Sequence, residues 1–312
     1  METYNKKNLT LSVGTSALNE ENMIANFLES LLMQEQISFR LERIIINSDG
    51  STDRTTSIAR SFNNKKIYVI EHTSRKGKKA RIAQLLQANT SDVLLILDTD
   101  MLLGSSRSLE ALIRAFYNPL VGIAALNVQP IRSKTFTGKI IYRWEKIWLE
   151  IRTVIHHGNT IFSLRGGAFA VRGKLVKELS LTSSIHQIAE YLYFVIREKG
   201  FSFRFVENAL VYYRQPETFT DYLSILSRGD NEDVARFQEM FGHEIAKEYN
   251  IPRKEKYKVF WKTFLKSPIS LVVTLVFIKI TRMISKNRNN LDRHGFWPVV
   301  NSTKKTFTLK DI

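Results

Sequence analysis

The sequence predicts an α/β protein. A mostly parallel, doubly wound sheet carries helices on both faces, and a basic helical extension follows at the C-terminus. Three observations lead there. Short aliphatic runs alternate with helical patterns at regular spacing through residues 1–130, the signature of a parallel sheet. Two of the runs stop on aspartates, at Asp49 and at Asp98-Thr99-Asp100, and open α/β sheets bind ligands at the carboxyl ends of their strands. No Gly-x-Gly-x-x-Gly follows the first run, so a standard dinucleotide site is not expected.

Taken in order, Leu9 to Ala17 reads as the first strand. Asn19-Glu20-Glu21 is expected to open a helix, with its carboxylates at the positive end of the helix dipole. Ile24, Phe27, Leu28, Leu31 and Leu32 then recur at helical spacing and give that helix one apolar face. Leu41 to Asn47 is the second strand. It runs into the turn Ser48-Asp49-Gly50-Ser51-Thr52-Asp53, where Asp53 is expected to cap a helix through Thr56 to Phe62. Ile67 to Ile70 is a third strand and Lys78 to Ala88 a third helix. Val93 to Leu97 is fully apolar, as a strand buried on both faces must be.

The pair Asp98 and Asp100 carries the most chemistry. Two carboxylates at the end of a buried strand supply hard oxygen ligands for a divalent cation, Mn²⁺ or Mg²⁺, and such a cation can hold a diphosphate. In isolation the same pair also fits a solvated acidic turn, and Asp49-Gly50 also fits plain turn chemistry. Arg75-Lys76-Gly77-Lys78-Lys79 supplies cationic compensation for a phosphate dianion, or a solvated charge run.

Four pieces in order and spacing resemble the family 2 glycosyltransferases of the GT-A fold: Ser16-Ala17-Leu18-Asn19-Glu20-Glu21, Asp49-Gly50-Ser51-Thr52-Asp53, Lys76-Gly77-Lys78-Lys79-Ala80, and Leu97-Asp98-Thr99-Asp100. Downstream, Arg165 to Arg172 resembles the family's glycine-containing acceptor-side segment, with Gly166 and Gly167 in it. The resemblance implies an inverting transfer of one sugar from a nucleoside diphosphate sugar, UDP by default, to a sugar or lipid-linked acceptor. It implies that Ala17, Asn19, Glu20, Asp49, Lys78, Asp98, Thr99 and Asp100 line the nucleotide sugar, with Asp49 on the base and Glu20 near the ribose. Asp98 and Asp100 are implied to hold the metal.

The middle of the chain departs from that pattern. Val121 to Val128 reads as a strand and Lys139 to His156 as a helix with the apolar stripe Ile140, Ile141, Trp144, Ile147, Trp148 and Ile151. His156-His157 reads as a polar helix end, since no further ligand stands at metal spacing. Where the family usually carries an acidic pair, this chain offers Glu190 alone. Glu190 is therefore the general-base candidate, with a helix-surface residue as the other reading. Phe201 to Tyr213 alternates as a closing strand. In Ile225-Leu226-Ser227-Arg228-Gly229 only Arg228 matches the Gln-x-x-Arg-Trp of processive relatives, which argues against a polysaccharide synthase and leaves Arg228 for the leaving diphosphate.

The expected division is a catalytic domain over residues 1–215, with a donor half to about residue 130, and a helical basic region over 216–312. Net charge is +16 over 312 residues, and Arg253–Ile312 holds 14 Lys and Arg against 3 Asp and Glu, so 14 − 3 = +11 lies there. Such a segment suits an anionic membrane surface. Pro268 to Ile278 is an apolar core too short to span alone, although Phe260 to Ile284 is long enough for a marginal span. A cytoplasmic catalytic domain with a helix lying in the interface of the inner membrane face is expected, with a C-terminal spanning anchor and a buried soluble helix as the alternatives. The absence of cysteine excludes disulfides and thiolate zinc sites. No nucleic-acid motif is present, and Met1 to Lys7 reads as no signal peptide. Two other functions remain: a catalytically degenerate glycosyltransferase that binds nucleotide or membrane, and a sugar-phosphate nucleotidyltransferase. The second lacks its usual glycine-rich loop after the first strand.

Overall fold

The aliphatic runs and amphipathic patterns of the sequence become, in a computed structural model, a mixed α/β sheet and a set of helices; residues 8–176, 187–226, 231–286 and 300–312 are described. In chain order these are β1 (Leu9–Ala17), α1 (Ile24–Leu32), β2 (Phe39–Asp49), α2 (Thr55–Ser61), β3 (Ile67–His72), α3 (Lys78–Ala88), β4 (Val93–Leu97), β5 (Met101–Leu103), α4 (Ser108–Ala115) and β6 (Val121–Pro130). There follow α5 (Phe136–Val154), β7 (Ala168–Arg172), α6 (Gly173–Val176), α7 (Ile188–Glu198), β8 (Ser202–Tyr213), α8 (Phe219–Leu226), α9 (Asn231–Phe241), α10 (Arg253–Lys266) and α11 (Pro268–Lys286).

The chain falls into two compact units. One holds residues up to Val128 together with Leu164–Tyr212; the other holds Gln129–Ser163 and the chain from Tyr213 onward. The helix α5 thus groups with the C-terminal helices.

The first unit is organised on one eight-stranded sheet of order β3-β2-β1-β4-β7-β6-β8-β5. Strands β1, β2, β3 and β4 pair in parallel, with Val13 beside Ile44 on one side and Leu95 on the other. Strand β7 then runs antiparallel to both β4 and β6. All five residues of β4 are buried, as are Leu11 and Val13 of β1 and Ile44 to Ile46 of β2. Aliphatic side chains on both faces of the central strands remove the most apolar area from water, which is why these strands lack alternation. The parallel register brings the carboxyl ends of β1, β2 and β4 to one edge.

Two local readings need correction. The first helix begins at Ile24, not at Asn19, and has no acidic residue in its first turn. Glu20 and Glu21 are instead stitched to the loop before α2: Glu20 N donates to Thr55 Oγ1 at 2.7 Å, Glu21 N to Asp53 Oδ2 at 3.0 Å, and Arg54 Nε to Glu21 Oε2 at 3.1 Å. Asp53 does accept the Thr55 N–H at 3.0 Å, but the residue at the N-cap of α2 is Arg54. Strands β5 and β7 and helix α4 are further elements that the aliphatic pattern did not announce, because β5 is three residues long and β7 is interrupted by small side chains.

The second unit gathers α5 with α8, α10 and α11. Thr135 caps α5 by accepting the Gly138 N–H at 3.0 Å, so the helix starts at Phe136, three residues before the expected Lys139. It ends at Val154, where His156 and His157 take positive φ of 47° and 53°. Ile147, Ile151 and Ile155 pack with Val259 and Leu271, and Ile141 and Trp144 with Tyr222 and Ile278. The last residues are folded too. Phe307 is buried under the Arg214 guanidinium, and Glu217 accepts from Ser133 Oγ, Arg214 Nη1 and Lys305 Nζ at 3.1, 3.1 and 3.2 Å.

Candidate active site

The site is built at the carboxyl edge of β1, β2 and β4. Asp98 follows β4 directly, and its backbone starts a tight turn in which Met101 N donates to Asp98 O at 3.2 Å. That turn carries Thr99, which is buried, and Asp100, whose Oδ1 is shielded from solvent. The antiparallel neighbour β7 holds the turn from the other side: Asp98 N donates to Gly167 O at 2.8 Å. A Cβ on Gly167 would stand 2.0 Å from Asp98 Oδ2 and 2.5 Å from its Cγ. Any side chain there would push the Asp98 carboxylate aside, and glycine lets the backbone approach it closely. Gly166, beside it, is exposed with nothing within 4 Å of where its Cβ would be.

Lys78 Nζ lies 2.6 Å from Asp98 Oδ2, in a pair that remains partly open to solvent. The loop before α3 brings it there, and Asp49 anchors that loop. Asp49 Oδ1 accepts the Lys76 N–H at 2.7 Å and Oδ2 accepts the Gly77 N–H at 2.8 Å. Gly77 sits at φ 88°, ψ 154°, a conformation that essentially only glycine adopts. Arg81, one turn into α3, completes the anchor. It is 1% exposed and gives Nε to Asp49 Oδ1 at 2.7 Å, Nη2 to Ser74 O at 2.8 Å and Nη1 to Gln84 Oε1 at 3.2 Å. Sequence reasoning passed over Arg81. Its signal was an arginine on the apolar side of α3, among Ile82, Leu85 and Leu86, where a charge is retained when it is paired.

Beside this anchor, His72 Nε2 and Asn47 Oδ1 are 2.6 Å apart. Burial, with the Arg81 guanidinium nearby, holds the His72 pKa below the ordinary imidazole value, which favours a neutral ring at neutral pH.

On the β1 side, Ala17 is buried and pairs with Ser48. Asn19 takes a positive φ of 53°, accepts Thr52 N at 2.8 Å and donates its backbone N–H to Ser51 Oγ at 3.1 Å. Glu20 is buried in the same corner. Thus Ala17, Asn19, Glu20, Asp49, Lys78, Asp98, Thr99, Asp100 and Gly167 all belong to one edge of one sheet. Glu190 lies in the first turn of α7, half-buried. Arg228 lies outside the described residues.

Asp98 and Asp100 suit a hard divalent cation in the chemistry of their donors. No group of three or more His, Cys, Asp or Glu that could hold a metal is present among the described residues. A cation here would draw its other ligands from phosphate oxygens and water, as Mg²⁺ at phosphate sites commonly does.

Comparisons with known proteins bear on the family and the fold. The family model described as Glycosyl transferase family 2 matches residues 12–179. A 4,4'-diaponeurosporenoate glycosyltransferase of Staphylococcus haemolyticus (strain JCSC1435) is 32% identical over 127 residues; the match covers 38% of this chain and spans 32% of that relative's length. Among solved structures, the mannosyltransferase PcManGT from Pyrobaculum calidifontis, in complex with GDP-Man and Mn²⁺, aligns with a TM-score of 0.53 at 16% identity, over 88% of this chain and 75% of that one. Glucosyl-3-phosphoglycerate synthase from Mycobacterium tuberculosis, in complex with Mn²⁺, UDP-glucose and phosphoglyceric acid, aligns with a TM-score of 0.52 at 19% identity, over 75% and 80%. At these identities the two structures establish a shared fold, and the mixed sheet described above is that fold.

Proposed function

Since the chain belongs to glycosyl transferase family 2, we propose that it transfers a single sugar from a nucleoside diphosphate sugar to an acceptor hydroxyl, with inversion, in glycan or glycolipid synthesis at the inner face of a membrane. The observation that carries this reading is the cluster around Asp98: a carboxylate at the end of β4, bonded to Lys78 at 2.6 Å and crossed at contact distance by Gly167. A carboxylate, a mobile ammonium and a stretch of backbone without side chains are what a diphosphate and its first sugar need at close range.

In this reading the loop pinned by Asp49 and Arg81 forms the wall beside the base, and Glu20 and Asn19 close the ribose side. Asp98 and Asp100 would hold Mn²⁺ or Mg²⁺, which would neutralise charge on the departing diphosphate. Lys78, one bond from Asp98, carries a second positive charge toward the phosphates. Glu190 takes the proton from the acceptor hydroxyl as it attacks the anomeric carbon. UDP is the default carrier, and a sugar or lipid-linked acceptor fits a basic protein that works against an anionic surface.

The test is transfer and donor hydrolysis with Mn²⁺ or Mg²⁺, comparing wild type with Asp100→Ala and Glu190→Gln. Loss of one well-placed electrostatic partner costs on the order of 10²–10³ in turnover. Asp100→Ala is expected to lose both reactions, and Glu190→Gln to lose transfer while still binding nucleotide. Equal turnover by wild type and Asp100→Ala would sink the metal assignment. A thermal-shift panel of nucleoside diphosphates with Mn²⁺ identifies the base without an acceptor, because a ligand at 100 times its Kd stabilises the folded state by about 2.7 kcal/mol.

A further inference from the structure

Helix α11 is turned inside out. Its buried positions are Leu271, Thr274, Ile278 and Thr281, and both threonines are 0% exposed. Ile269, Val272, Val276, Ile280 and Met283 form a second stripe at i, i+3, i+7, i+11 and i+14, offset by two residues from the first. Two residues of α-helix turn by about 200°, so the stripes lie on opposite sides. This outer stripe is 80%, 52%, 53%, 47% and 62% exposed, respectively. A helix packed on a protein in water buries its aliphatic side and turns its hydroxyls outward. Here the hydroxyls face the protein, satisfied within the helix: Thr274 donates to Ser270 O at 2.8 Å and Thr281 to Phe277 O at 3.0 Å. Small hydroxylated residues at helix contacts and aliphatic residues outside are the arrangement of a helix whose outer solvent is lipid.

Helix α10 repeats the theme with aromatics. Tyr257, Trp261, Phe264 and Leu265 fall on one side and are exposed, and Trp261 stacks on Phe264 at 5.7 Å. Lysines 254, 258, 262 and 266 flank them. Across residues 253–286 there are nine Lys and Arg against Glu255 alone, a charge that complements an anionic headgroup layer.

The side opposite the outer stripe decides between spanning and lying flat. Pro268–Ser285 is long and apolar enough by composition to cross a bilayer. Yet α11 packs along α5, α8 and α10 within its unit, and this contact is edged with charge. Lys262 pairs with Glu150, Arg282 stands over the Trp144 ring at 5.5 Å, and Arg143 Nη1 reaches Ser270 O at 3.4 Å. A spanning α11 would draw these groups into hydrocarbon.

We infer that the outer stripe of α11, with the Trp261 edge of α10, is a one-leaflet docking surface for an anionic lipid bilayer, the helix lying in the plane of the interface. This rests on the helices alone and does not need the sugar-transfer reading.

The experiment is vesicle flotation of the full chain on phosphatidylglycerol and on phosphatidylcholine vesicles, with and without added salt. The variants are the triple Ile269→Gln/Val276→Gln/Met283→Gln and the triple Lys254→Gln/Lys258→Gln/Lys266→Gln. All six side chains are exposed, so folding is preserved and is checked by melting temperature. Wild type is expected to prefer phosphatidylglycerol by at least about tenfold, and each triple to lose about tenfold of that binding. Loss in the lysine triple is reproduced in wild type by salt; loss in the stripe triple is not. Trp261 emission, taken by difference with Trp261→Phe, is quenched by shallow-brominated lipid more than by deep-brominated lipid if the helix lies flat, and protease added outside sealed vesicles then still cuts the whole tail. Flotation unchanged in the stripe triple overturns the inference. So does a concentration-dependent dimer abolished by that triple, which would assign the stripe to a second copy. Nucleotide thermal shift on the same variants separates the readings: its absence in wild type fails the transfer proposal and leaves the flotation result standing.

Discussion

Strand β4 and helix α11 treat the same two classes of residue in opposite ways. In β4 every aliphatic side chain is buried, and the polar residues begin where the strand leaves the core, at Asp98. In α11 Thr274 and Thr281 are buried alongside Leu271 and Ile278, while a full stripe of aliphatic residues from Ile269 to Met283 faces out. A polar group can be buried in two ways. It can join a network with distant parts of the chain, as Asp49 does with Arg81, Lys76 and Gly77. Or it can satisfy itself locally, as Thr274 does on the carbonyl one turn back. The first ties a site together and is sensitive to the loss of any member. The second leaves the fold nearly indifferent to the polar group and frees the opposite face for another solvent.

The largest effect is expected where the network is broken. Arg81→Met removes the guanidinium that neutralises Asp49, both side chains being almost fully buried. Removing one partner of a buried pair costs about 3–5 kcal/mol, because a charge is left uncompensated. The urea midpoint should fall accordingly with an unchanged slope. A loss below about 1 kcal/mol would mean that water reaches Asp49, and the contrast with α11 would weaken.

Next comes the backbone beside Asp98. In Gly167→Ala the new Cβ would stand 2.0 Å from Asp98 Oδ2, so the carboxylate must move. If Asp98 works as proposed, transfer falls on the order of 10²-fold, roughly 2.7 kcal/mol, since an ångström of misplacement at a reacting centre costs about that much. The measurement pairs kcat with the thermal shift produced by Mn²⁺ and nucleotide. Retention of both would detach Gly167 from the site.

How much of this was legible in the sequence follows the same division. The strands β1 and β4 and the helix α3 could be read to their ends, since aliphatic runs and helical spacing are local signals. The edge that gathers Asp49, Lys78 and Asp98 was legible as well, because parallel strands place their carboxyl ends together. The role of Arg81 and the contact of Gly167 with Asp98 were not, for both depend on pairings across the fold, and β4–β7 joins residues about 75 positions apart. The start of α1 was misplaced for a related reason: Glu20 and Glu21 bond to the loop before α2, and that tertiary use outweighs the dipole preference. In α11 composition suggested a membrane, while which face stays exposed depended on which positions the neighbouring helices cover.

A pH series sharpens the comparison further, because Glu110 in the first unit and Glu217 in the second are both buried, networked carboxylates with depressed pKa values. Burial raises the pKa of Glu110, but the Ser38 hydroxyl, Arg114 and the Ser38 N–H outweigh it, and the value lies below the usual 4.5. For Glu217 burial likewise raises the pKa and Lys305, Ser133 and Arg214 outweigh it. A carboxylate whose folded pKa is depressed contributes stability that is present above the unfolded value and is lost as pH falls through the folded one. Both units should therefore weaken below about pH 4.5. At pH 7, Glu217→Gln is expected to cost about 1–3 kcal/mol, the range for a hydrogen-bonded charge, and that difference should shrink as the solution is acidified. A difference that stays constant down to pH 3 would show that Glu217 is not the titrating group.

The smallest effect is the most discriminating. Thr274→Val keeps the shape of a side chain that is 0% exposed and removes its hydroxyl. The bond lost runs to Ser270 O, a carbonyl that the helical Thr274 N–H also faces. Such back-bonding of a threonine within its own helix adds little to stability, so replacing it leaves no deeply orphaned group. The expected change is within about 1 kcal/mol, either way. Thr281→Val should behave alike, since its hydroxyl also bonds within the helix. Chemical denaturation of both variants in buffer reads this directly, and vesicle flotation should be unaltered because the outer stripe is untouched. If either valine costs as much as Arg81→Met, the buried hydroxyls belong to a network after all, and α11 is an ordinary core helix whose aliphatic face needs a protein partner.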